Sequence, residues 1–186
     1  MAMLTRVASS GLAFLFGSLV WITPPSLAFA ATITTQARCA GPDGYCLSFG
    51  SQAAIPVIRS INFAAPKAGT AQVTFHGSLY CAGQATSFPL DGARMAFVDF
   101  ASQIVNKQND VADFSKGGSL RHAAYFIRYD ISSAFDWSTT FNLASTRVFQ
   151  IDGAGTQRYY FKIARLLQNA GVTCYLYNAT FTVVFI

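Results

Sequence analysis

The chain has 186 residues, of which 52% are hydrophobic, 15% aromatic and only 11% charged, with a net charge of +5. Its bases are scattered singly, which excludes the concentrated basic patch of a nucleic-acid binder. All eight acidic residues are Asp, and a chain without Glu but rich in Phe, Tyr, Val, Thr, Ser and Gly is composed like an all-β domain.

In chain order, Arg6 precedes an apolar run over residues 7–22, a Pro24-Pro25 break and Ala28-Phe29-Ala30. That is the layout of a secretory signal peptide, residues 1–30, with cleavage after Ala30. The competing reading is a membrane anchor. The run is near the minimum length for spanning a bilayer, and Gly17, Ser18 and the two prolines weaken it. The expected locale is therefore extracellular or periplasmic, with membrane contact only during export.

Residues 31–54 read as an N-terminal extension in which Gly41-Pro42-Asp43-Gly44, a tight-turn sequence, curls Cys39 back to Cys46. Residues 55–186 read as a β-sandwich domain. Residues 55–63 give its first strand, placed at an edge by Pro56. After the turn Pro66–Gly69, residues 70–81 alternate cleanly, with Val73, Phe75, Gly77, Leu79 and Cys81 on one face and Gln72, Thr74, His76, Ser78 and Tyr80 on the other. Residues 93–100 form a further strand. Residues 101–118 are the least regular, a long loop or a short helix.

Residues 120–130 form a strand with Ala123, Tyr125, Ile127 and Tyr129 on one face, and residues 131–139 a loop. Residues 140–151 and 157–168 flank Asp152-Gly153-Ala154-Gly155, a hairpin signal. By spacing alone, residues 161–167 are also compatible with a helix. After Asn169-Ala170-Gly171, residues 172–186 close the chain with Tyr175, Tyr177, Ala179, Phe181, Val183 and Phe185 on one face. Seven or eight strands with turns at short intervals define an all-β, antiparallel two-sheet sandwich or jelly roll.

Four cysteines in an exported chain argue for disulfides, and the expected pairs are Cys39–Cys46 and Cys81–Cys174. The six intervening residues between Cys39 and Cys46 do not match zinc-ligand spacing. No metal or other cofactor is expected.

The nucleophile-elbow pattern is absent, and two histidines exclude the zinc-protease motifs. The Asp residues, several in turns, single out no catalytic pair. His76 and His122 read as surface or half-buried residues bonded to neighbouring hydroxyls or carbonyls. Asn178-Ala179-Thr180 matches a glycosylation sequon inside a strand.

Phe135, Asp136 and Trp137, an indole on a loop beside an Asp and several hydroxyls, suit stacking on a sugar ring or packing on a protein partner. The alternative role for Trp137 is to cap the core. The expected function is a secreted, non-catalytic binding or interaction module for a glycan or an extracellular protein. Homo-oligomerisation is compatible with the low surface charge. The alternatives are a small outer-membrane β-barrel and an exported hydrolase of unrecognised type.

Overall fold

A computed structural model describes residues 33–51, 58–87, 93–113, 115, 117–129 and 134–186. The expected signal peptide, its cleavage site and Pro56 lie outside the described residues.

The described chain is two antiparallel sheets. Its strands are β1 (Ile33–Arg38), β2 (Tyr45–Gly50), β3 (Arg59–Ala65), β4 (Gly69–Gln84), β5 (Thr86–Ser87), β6 (Ala93–Val105), β7 (Leu120–Tyr129), β8 (Asp136–Ile151), β9 (Gly155–Gln168) and β10 (Val172–Phe185). The first sheet runs β1-β10-β4-β8, with β2 also on β10. The second runs β3-β9-β6-β5, with β7 on the other side of β6. The sheets do not close on one another, so the architecture is a sandwich and the barrel reading is not supported. As expected, β3 lies at an edge.

The alternation of β4 explains its place at the centre. Val73, Phe75, Leu79 and Cys81 are fully buried, while Gln72, His76 and Tyr80 point to solvent. Across the core, Phe75 stacks on Phe161 of β9 with ring centroids 3.6 Å apart, and Phe181 of β10 meets Phe75 edge-on at 5.7 Å. Cys81 faces Cys174 directly in the β4–β10 register and is bonded to it, with Cα atoms 4.0 Å apart. The second disulfide, Cys39–Cys46, closes a turn of seven residues' separation.

Several local expectations change. Within the expected N-terminal extension, Ile33–Arg38 and Tyr45–Gly50 are strands of the first sheet. β1 pairs Ile33–Arg38 with Phe185–Thr180, and β2 pairs Tyr45–Gly50 with Tyr177–Thr173. They make one edge, interrupted by the disulfide-closed turn. The interruption sits opposite a bulge in β10, where Asn178 has φ 52°.

That bulge inserts one residue, so the inward face of β10 changes parity. Cys174 and Leu176 are buried before it, and Ala179, Phe181, Val183 and Phe185 after it. Tyr175 and Tyr177 therefore do not share a face with Phe181; they look outward.

The turn at residues 152–154 does not make a hairpin. β8 belongs to the first sheet and β9 to the second, so this turn crosses the core. The turns after β3 and β9 do the same. Tight-turn chemistry reverses the chain but leaves open whether the flanking strands bond or stack.

β6 continues through Val105, past the point where irregularity was expected, because its polar side chains are satisfied internally. Buried Gln103 donates its amide to the Gly117 carbonyl at 3.2 Å and accepts from the Asp113 N–H at 3.1 Å. Residues 161–167 are strand, not helix. Among the described residues no helix is long and apolar enough to cross a membrane, and two disulfides suit an oxidising, non-cytoplasmic compartment.

Candidate functional site

Where β4 ends and β8 begins, the register sets Gly83 opposite Trp137 and Gln84 opposite Asp136. Gly83 has no side chain for a steric reason: a Cβ there would lie 1.9 Å from the Gly171 carbonyl oxygen. The β9–β10 turn thus lies directly on the β4 backbone. The resulting gap between side chains is an open cleft of about 550 Å³ lined by Tyr80, Ala82, Gly83, Gln84, Asp136, Trp137, Ser138 and Gly171. Buried Asn169 fixes the turn by accepting a hydrogen bond from the Phe97 N–H and donating to the Met95 carbonyl at 3.1 Å.

Of the three residues expected at a ligand site, two meet in the cleft. Asp136 is exposed on its rim. Trp137 is half-buried: its indole packs on the core cluster and also lines the cleft. It is held on strand β8, not on a loop, which limits its freedom. Phe135 does not join them. Its ring meets Phe126 of β7 edge-on at 5.4 Å, and its carbonyl accepts from the Ala85 N–H at 3.0 Å. The missed contributors, Gly83 and Gly171, act by lacking side chains. The one sequence signal for them was glycine in or beside a turn.

Two polar clusters lie elsewhere. Ser102 Oγ and His122 Nε2 are 2.9 Å apart, with the imidazole stacked on Phe100 and edge-on to Phe141. Ser102 is 1% exposed, so its hydroxyl is closed to a substrate. Here His122 is a half-buried histidine bonded to a neighbouring hydroxyl. His76 stays on the solvent face of β4. On the outer face of the second sheet, buried Asp99 accepts from Arg121 Nε at 2.9 Å, from Arg121 Nη2 and from the Tyr125 hydroxyl.

These clusters set an acid response. Burial holds the His122 imidazole below its ordinary 6.5. The unfolded chain therefore takes up that proton first, and stability falls as pH drops below about 6.5. The hydrogen bond from Arg121 keeps Asp99 below the usual carboxylate value of 3.8, against opposition from burial. Its contribution is intact above about 3.8 and disappears as pH falls through its folded-state value. The melting temperature is expected to decline between pH about 7 and about 5. In His122→Phe, calorimetry should show that part of the decline reduced; an identical pH profile would rule out His122 as its source.

Among the described residues, no group of three or more His, Cys, Asp or Glu side chains could hold a metal. The fold and cleft define a disulfide-stapled antiparallel β-sandwich with an open site at one end of the first sheet. No known family matches the sequence, and no curated protein matches it. Among solved structures, the chain is similar to the infectious bursal disease virus VP2 subviral particle, with 15% identity and a TM-score of 0.33, covering 83% of this chain and 33% of that one. It is also similar to structures of the Gx strain (14% identity, TM-score 0.32) and the Gt strain (10% identity, TM-score 0.31) of the same virus. These cover 83% of this chain, and 32% and 33% of theirs. The chain thus spans about a third of the length of these proteins.

Proposed function

We propose that the protein is an exported, non-catalytic binding module whose ligand, a neutral sugar ring, seats in the Trp137 cleft. One observation carries this reading. A half-buried indole lines an open cleft together with Asp136, Ser138, Gln84 and Tyr80, giving an aromatic surface with acceptors and donors beside it. An aromatic ring offers its apolar surface to a sugar ring, and the polar side chains can exchange hydrogen bonds with its hydroxyls.

Trp137→Ala should weaken binding to a neutral glycan array by at least about tenfold, roughly 1.4 kcal/mol. Because Trp137 also packs on the core, exposed Asp136→Ala serves as the companion variant. Glycan binding unchanged in both variants removes the site.

Self-association is the second reading. Strand β7 pairs only with β6 among the described residues, and Tyr125, Phe126, Ile127 and Tyr129 along it are exposed. An apolar edge of this kind invites pairing with another strand. Light scattering that reports a monomer across a wide concentration range excludes it.

A further inference from the structure

We infer that the ligand is an extended, uncharged polysaccharide that leaves the Trp137 cleft and crosses the outer face of the first sheet over four tyrosines. This rests on the reading of the cleft as a sugar site. Tyr80 lines the cleft and is 39% exposed. Its register partner on β10 is Tyr175, with ring centroids 6.4 Å apart. Two residues along β10 on the same outward face is Tyr177, whose partner on the β2 edge is Tyr45 at 5.8 Å. The β10 bulge creates this band, because the parity change after Tyr177 leaves both tyrosines outside while Phe181 goes in.

The surroundings choose the ligand chemistry. The register positions beside the rings are Ser48, Ser78 and Thr140, which carry hydroxyls and no charge. The Tyr45 hydroxyl donates to Ser48 Oγ at 3.2 Å, which orients that ring. Nucleic acids and other polyanions need cations to meet their charge, and the band presents none. A peptide adding itself as a strand needs an unpaired edge. β10, which carries the middle of the band, is bonded on both sides. Rings and hydroxyls carried across the paired strands β4 and β10 instead fit a chain of neutral sugars, which stacks by its apolar ring faces and exchanges hydroxyl hydrogen bonds.

The test is isothermal titration with the di- and hexasaccharides of neutral glucose, mannose and N-acetylglucosamine polymers, and with a polyuronate hexasaccharide. In at least one neutral series the hexasaccharide should bind at least about tenfold tighter than the disaccharide. Tyr175→Ala and Tyr45→Ala should bring the hexasaccharide down to disaccharide affinity and leave the disaccharide unchanged. Tyr175→Phe, which keeps the ring, should retain most of the gain and serves as the folding control. Equal affinities for the two lengths, tyrosine variants without effect on the hexasaccharide, or preference for the polyuronate would each overturn the inference. If the disaccharide still binds in a Trp137-dependent way, the cleft stands and only the platform falls. Failure of every sugar to bind removes both.

Discussion

Replacing Phe75 by alanine is expected to destabilise the protein by about 3–5 kcal/mol, the range for a fully buried phenylalanine whose site cannot collapse. Phe75 is 0% exposed, stacked on Phe161 of the opposite sheet and edge-on to Phe181 of its own. Truncation leaves both rings facing a void, and strands paired over sixteen residues cannot shift to fill it. The urea midpoint should fall with the slope unchanged, since the same surface is exposed on unfolding. Phe75→Leu should cost less, because it retains much of the volume. A Phe75→Ala loss below about 1 kcal/mol would show that the sheets repack freely there.

Removing the Cys81–Cys174 bond as a double alanine variant is expected to cost about 4–5 kcal/mol, against about 2.5 kcal/mol for Cys39–Cys46, from the loss of loop-closure constraint. The difference follows from sequence separations of 93 and 7. The first pair is also almost fully buried, so its loss removes sulfur volume from the core as well. Denaturant titration of the two double variants measures the ordering. Equal losses would mean that loop closure is not the main contribution.

The legible parts of the sequence were those where one short-range rule decides the outcome. The alternation Val73, Phe75, Leu79, Cys81 set the buried face of β4. Trp137 and Asp136 were recognisable as an aromatic beside an acceptor and do share a cleft. Phe135, their neighbour, precedes β8; its carbonyl is bonded to the Ala85 N–H and its ring meets Phe126 of β7, pairings with distant residues that its local sequence does not show.

The illegible parts depended on pairings between distant residues. Asp152-Gly153-Ala154-Gly155 has the chemistry of a hairpin, yet nothing local says that β8 and β9 belong to different sheets. Asn178 tolerates positive φ, but an Asn in a strand is a weak signal for the bulge that turns Tyr175 and Tyr177 outward. Ser102 and Gln103 resembled loop residues because their partners, His122, Gly117 and Asp113, lie ten or more positions away. The cleft itself was invisible for a related reason: it exists because the Gly171 turn rests on Gly83.

The sheet-crossing turns also govern the timetable of assembly. β10 lies between β4 and the β1–β2 edge, so the first sheet stays in two pieces until the last described strand is available. Until then Cys81 has no partner, and its thiol remains open to mispairing with Cys39 or Cys46. Neither sheet can be finished early as a stable half, since β3–β4, β8–β9 and β9–β10 each put successive strands into different sheets. Such a topology defers most of its contacts to long-range closure and belongs with the slow-folding sandwiches. An oxidant acting before β10 docks would trap the wrong bond, and one acting afterwards would seal the right one.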